Sequence, residues 1–310
     1  MVKVAKAMKK IVPPPAQRSF WLLVRRWIGR PLMAFLVYRL VVAPLFRRLW
    51  ARLVYGRWTR PSTWLHCAPQ NREKFLKFVP AAKSYKPTPF LFTSALQTIS
   101  AEIPQNLRPG APELVEYGSR TTIQIPSRLR PEGATCCPMV IPEGCVSVDW
   151  VANTASASQA EATFLVVPGL TGASHSKYVR RCVSALTRAS PRNRVGAYSQ
   201  RGSNGNELTN PFMYSGGYTE DLRYTIQRLG VPPGGKLFLI AYSLGANVTA
   251  KLLAEDGDNS LVTAAVVCAC PVDMLPLSNY LSHGAWGKIW DKVLVAGVNR
   301  LLASSPVLRK

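Results

Sequence analysis

Apolar residues recur along this chain with two different periods. Residues 113–126 and 145–153 read as antiparallel strands, and the second sets Val146, Val148 and Trp150 against Ser147, Asp149 and Val151. Residues 128–144 between them are rich in Pro, Gly and Cys and read as a loop. From Thr163 the pattern changes. Apolar runs of buried-strand length occupy 163–167, 195–198, 237–241 and 262–270. Segments at helical spacing lie between them: Tyr178, Val179, Cys182, Val183 and Leu186 form one stripe, and Leu222, Ile226 and Leu229 another. Thr219 is placed to cap the second helix, Glu220 and Asp221 suit its positive N-terminal end, and Gly230 with Pro232 and Pro233 stops it. Strands alternating with helices predict an α/β fold, a parallel sheet wrapped by helices with ligands at the carboxyl ends of its strands.

One junction stands out. In Lys236-Leu-Phe-Leu-Ile-Ala-Tyr-Ser243-Leu-Gly245-Ala-Asn a strand runs into a Ser between small residues, and a helical pattern follows as far as Gly257. This is the layout of a nucleophile elbow, in which a strained strand-to-helix turn pushes the hydroxyl out of the sheet. Ala241 and Gly245 leave room where strand and helix crowd together, with Ala241 standing where Gly is usual. Residues 169–172 form a tight loop after an earlier strand, and residues 201–217 a long Gly/Asn loop of the kind that builds sites.

Composition adds a membrane. The net charge is +23, yet the first acidic residue is Glu73, preceded by fifteen Lys and Arg. Trp21, Trp27, Trp50, Trp58 and Trp64 share that stretch. Cations interleaved with rings and aliphatic residues suit a bilayer interface, where long cations snorkel. The charges flank apolar runs and no nucleic-acid motif occurs, so no nucleic-acid partner is expected. Residues 31–46 are apolar except for Arg39, and as a helix they would reach about 24 Å against a hydrocarbon core of about 30 Å. They fit an anchor, spanning or lying in the interface, more closely than the mitochondrial transit peptide that an acid-free, Arg-rich start also suggests. The seven Cys show no metal-ligand spacing and read as free thiols. No metal or cofactor is expected.

With these residues in view, the chain resembles the α/β-hydrolase superfamily, and within it the YheT-like branch of membrane-associated ABHD-type lipases and fungal medium-chain ethyl-ester synthase/esterases. The resemblance covers roughly residues 85–280. It rests on Leu96-Gln-Thr-Ile99, Glu143-Gly-Cys-Val-Ser-Val-Asp-Trp150, Leu165-Val-Val-Pro-Gly-Leu-Thr-Gly-Ala-Ser-His-Ser-Lys-Tyr-Val179, Gln200-Arg-Gly202, the block from Tyr214 to Asp221, and Ala241-Tyr-Ser-Leu-Gly-Ala-Asn247. It implies Ser243 as nucleophile and the backbone N–H groups of Leu170 and Leu244 as an oxyanion hole. It also implies a lipid-like carboxylic ester or acylglycerol as substrate, with membrane lipid as partner. The family's acid and His lie beyond two further strands. The expected architecture is thus an α/β-hydrolase sheet lacking its last strands, a C-terminally truncated member, with an N-terminal membrane-anchoring helical segment. The expected division is a basic aromatic anchor at 1–62, a Pro-rich lead-in at 63–112 and a partial hydrolase domain at 113–310.

After Ser243 the triad order of nucleophile, acid, His leaves one pair, Asp273 and His283. Asp273 reads as a helix cap and His283 as a surface residue. His175 reads as a helix-start hydrogen-bonding residue, His66 as structural or exposed, and Asp221 as a first-turn helix residue. A catalytically impaired, membrane-tethered pseudoenzyme or lipid-binding module is the rival class. Residues 285–302 form an amphipathic helix, with Trp286, Ile289, Trp290 and Val293 expected to turn inward over an otherwise open sheet edge.

Overall fold

The computed structural model describes residues 69–79, 115–129, 140–152 and 154–308. The proposed anchor at 1–62 lies outside them, as does His66. The chain divides into two compact units, Met1–Pro104 and Gln105–Lys310. In the first, helix α1 (Pro69–Phe78) begins on a proline, whose fixed φ suits the first helical position. Among the described residues no helix is long and apolar enough to cross a membrane.

The second unit is built on a sheet of six strands. They are β1 (Tyr117–Ile125), β4 (Gly144–Val151), β5 (Ala162–Val167), β6 (Asn193–Ser199), β7 (Lys236–Tyr242) and β8 (Ala264–Cys268), in the order β1-β4-β6-β5-β7-β8. The sheet is mixed. β6, β5, β7 and β8 are parallel, while β4 runs antiparallel to both β1 and β6. Alternate residues of the parallel strands feed two cores, as the period of a strand requires. Leu165 and Val167 join Leu237, Leu239, Leu222, Ile226 and Leu252 on one face. Val166, Val195 and Ala197 meet Val179 and Val183 on the other. Helix α2 (Lys177–Ala189) covers the second face; α3 (Glu220–Gln227) and α4 (Leu244–Asp256) cover the first.

Three expectations change. Residues 128–144 are not all loop: β2 (Arg128–Leu129) pairs with β3 (Val140–Ile141), and β4 begins at Gly144. Thr219 makes no side-chain cap; its hydroxyl donates to Glu255 of α4 instead, at 2.6 Å. Finally, α5 (Met274–His283) and α6 (Ala285–Ser304) follow β8, but the α6 stripe does not turn wholly inward: Ile289 is 52% exposed and Val293 55%. β8 stands at the sheet edge with Val266 and Val267 exposed.

Candidate active site

β7 ends at Tyr242 and α4 starts at Leu244, so Ser243 alone makes the turn. Its backbone sits at φ +50°, ψ −120°, a region that L residues avoid and that is populated at functional sites when the surroundings enforce it. The enforcement is visible. Ser243 N–H donates to Cys268 O of β8 at 2.9 Å, and Asn247 N–H donates back to Ser243 O at 3.1 Å. Gly245 lies so close to the carbonyl oxygen of Pro168 that any side chain would collide with it, and a Cβ would also stand 2.9 Å from Val167 O. Gly169 meets the elbow from the other side; a Cβ there would lie 2.9 Å from Ser243 Cβ and 3.5 Å from its Oγ. The sequence therefore folds the end of β5 directly against the Ser243 turn. Ser243 itself is exposed.

The turn after β5 has its N–H groups accounted for one by one. Gly169 N–H donates to the Tyr178 phenol at 3.0 Å, Thr171 N–H to the Tyr214 phenol at 2.9 Å, Gly172 N–H to Gly169 O at 3.0 Å and Ala173 N–H to Ser176 Oγ at 3.0 Å. Leu170 N–H is left without an acceptor among the described residues, and so is Leu244 N–H at the first turn of α4. Two unclaimed donors beside an exposed, strained hydroxyl is an arrangement that can take up an oxyanion.

The remaining candidates do not join this group. His175 Nδ1 pairs with Asn204 Oδ1 at 3.2 Å, and His283 Nδ1 pairs with Asn279 O at 3.1 Å; both rings are exposed. Asp273 caps α5 by accepting from Leu275 N–H at 3.0 Å. No described residue hydrogen-bonds Ser243 Oγ. Asp221 is a first-turn residue of α3, but its carboxylate is engaged at both oxygens: Arg201 Nε at 2.5 Å and Nη2 at 2.8 Å, with Tyr218 OH at 2.9 Å. Among the described residues no group of three His, Cys, Asp or Glu could hold a metal ion.

Sequence reasoning missed the residues that hold the loops. Tyr214, on the long loop, and Tyr178, at the start of α2, clamp the turn after β5. Arg201 fixes the beginning of that loop to Asp221 and to the carbonyls of Pro142 and Glu143. Their signal was present, since Gln200-Arg-Gly202 and the block from Tyr214 to Asp221 are among the stretches that carry the family resemblance. Burial pushes the Tyr214 phenol up, and the Thr171 N–H counters this in part, so the ring stays protonated. Burial, then a hydrogen bond with Cys182, pushes the phenol of Tyr242 up. A cavity of about 510 Å³ between Gly202–Leu208 and Ser304–Val307 contains none of the candidate residues.

The chain is a homologue, at low identity, of esterases and lipases of the α/β-hydrolase superfamily. It is 27% identical over 133 residues to the monoacylglycerol lipase of Saccharomyces cerevisiae, covering 43% of this chain and 29% of that protein. It is 31% identical over 176 residues to YheT of Escherichia coli, covering 54% and 49%. The chain thus matches about half or less of the length of these relatives. Among solved structures, the Pyrococcus furiosus esterase Pf2001 aligns with 60% of the chain and 62% of its own length, at 18% identity and a TM-score of 0.41. No protein-family model matches the chain.

Proposed function

We propose that this chain is a serine hydrolase acting on lipid-like carboxylic esters through an acyl-enzyme on Ser243. The observation that carries the reading is the elbow: an exposed Ser at φ +50° between a buried strand and a helix, with two backbone N–H donors unclaimed beside it. Ser243 Oγ would add to the ester carbonyl while Leu170 and Leu244 N–H receive the developing oxyanion. Collapse of the tetrahedral intermediate would release the alcohol with the hydroxyl's proton, and water or a second alcohol would take the acyl group off. Losing one such donor typically raises the barrier by about 3–4 kcal/mol. Acylglycerols are the substrate class suggested by the yeast relative's name, and residues 1–62, basic and aromatic, would hold the protein at a membrane where such esters reside.

One observation favours a second reading, a membrane-tethered lipid-binding protein of hydrolase ancestry. Among the described residues Ser243 Oγ has no His or carboxylate partner, and a serine without a base loses most of its nucleophilicity. Turnover of p-nitrophenyl butyrate and of a monoacylglycerol by the wild-type chain and by Ser243→Ala separates the two. The hydrolase reading expects turnover that falls by about 10³-fold or more in the variant. Saturable binding of a non-hydrolysable ether analogue with no turnover in either form would establish the second reading.

A further inference from the structure

α5 and α6 carry an apolar surface that no described residue covers. Val293, Leu294, Val295 and Ala296 are four consecutive exposed positions on α6. Successive residues of a helix step by about 100°, so these four point to all sides of it rather than along one stripe. A helix segment apolar all round is stable inside a core or inside lipid, not in water. Just before α5 and within its first turn, Val272 is 84% exposed and Leu275 71%, with Met274 and Tyr280 also exposed. Cations accompany this surface: Lys288, Lys292 and Arg300 are exposed on α6 and none forms an ion pair among the described residues. Asp291 is the single acid of the helix.

We propose that the α5–α6 pair is a docking surface for the interface of a bilayer containing anionic phospholipid. The exposed aliphatic side chains would enter the upper acyl region, and Lys288, Lys292 and Arg300 would meet the phosphates, their long stems allowing the charges to reach back. Two features favour lipid over a second copy of the chain. A rigid protein face meets one side of a helix, whereas fluid acyl chains can meet side chains that fan out from Val293 to Ala296. The three exposed cations of α6 against its one acid also draw this surface to an anionic bilayer and set two copies of it against each other. The surface borders the elbow: a Cβ on Gly297 would lie 3.3 Å from Thr171 Oγ1, and a Cβ on Gly216 would lie 3.0 Å from Leu244 Cδ1 and 3.7 Å from Met274 Cε. Docking through α5–α6 would set Ser243 at the lipid interface, whatever chemistry that residue performs.

Amide hydrogen exchange on the full chain tests this locally, without using ester turnover. Attachment through residues 1–62 does not by itself protect α6. With vesicles of phosphatidylcholine and phosphatidylglycerol, exchange across residues 289–298 should slow by about tenfold. Phosphatidylcholine alone should have a smaller effect. Val293→Asp with Leu294→Asp should abolish the slowing while β5 and β7 exchange as in the parent, which shows that the variant is folded. Lys288→Glu with Lys292→Glu, both at exposed positions, should raise the lipid concentration for half-protection about tenfold. Exchange unchanged by either vesicle would overturn the proposal. So would slowing that follows protein concentration without lipid, the mark of a second copy, or protection already complete without lipid, the mark of another stretch of this chain. Equal slowing by phosphatidylcholine alone would overturn the role given to the three cations.

Discussion

The phenol of Tyr214 accepts a hydrogen bond from the backbone N–H of Thr171 at 2.9 Å, and Thr171 is held there at φ +58°. One side chain thus ties the long loop after β6 to the strained turn after β5. With that N–H and its neighbours engaged, Leu170 N–H remains for a ligand. Tyr214→Phe removes the acceptor and leaves a half-buried donor unpaired, which should lower stability by about 1–3 kcal/mol. Urea unfolding measures the loss, and amide exchange over residues 169–173 should quicken at the same time. An unchanged midpoint with unchanged exchange would show that the strap carries no energy.

Arg201 and Asp221 are the contrast case for ion pairs. Their side chains are 1% and 5% exposed and doubly bonded. Asp221→Ala strands a buried guanidinium and should cost about 3–5 kcal/mol. Arg120 is 39% exposed and pairs with Asp149, a 7% exposed carboxylate that also accepts from Asn204; truncation of Arg120 to Ala leaves that second partner in place and should cost less, about 1–2 kcal/mol. Denaturant midpoints of the two variants, compared side by side, check the ordering.

Gly245→Ala places a methyl group against the Pro168 carbonyl, which is backbone and cannot swing aside. Overpacking there should lower stability by about 1–3 kcal/mol and shift the turn after β5. Ala241→Gly, at a buried strand position, should open space without collision and leave that turn in place. Thermal unfolding of both variants, with amide exchange over residues 168–172, distinguishes a clash from a simple loss of packing.

Glu255 supplies the pH dependence. Burial acts to raise its pKa, but hydrogen bonds from Lys251, Thr219 and Arg223 outweigh it and hold the carboxyl below the ordinary glutamate value. With the folded pKa depressed, the stabilisation is fully present above the unfolded value of about 4.3 and is lost as pH falls through the folded value. Glu255→Gln should therefore be less stable than the parent at neutral pH and should show a flatter acid limb. Melting temperature against pH for both proteins reads this out; parallel curves would contradict it.

The sequence made the alternation of strands and helices legible because buried strands and amphipathic helices leave periodic signals. It made Ser243 legible because an elbow needs small neighbours at fixed offsets. It did not reveal that Glu220 and Asp221 are buried partners of arginines, Glu220 of Arg128 and Arg223 and Asp221 of Arg201. In sequence, two acids at a helix start look the same whether they face water or a guanidinium on a distant loop. Thr219 likewise suits a cap until α4 brings Glu255 within reach. For α6 the spacing of apolar residues foretold a helix but not a single inward face, since Ile289 and the run from Val293 to Ala296 are exposed on every side of it. The pairing of Thr171 with Tyr214 joins residues 43 apart and follows no local pattern.

The most direct measurement is the mass of the peptide carrying Ser243 after exposure of the intact chain to a fluorophosphonate. Such a probe reacts with a serine whose hydroxyl is activated and whose oxyanion donors are in place. A stoichiometric phosphonyl adduct is expected on Ser243, with no adduct at that peptide in Ser243→Ala and slower labelling in Tyr214→Phe. An unmodified Ser243 in folded protein, or equal labelling of other serines, would contradict the assignment of this elbow as a working nucleophile.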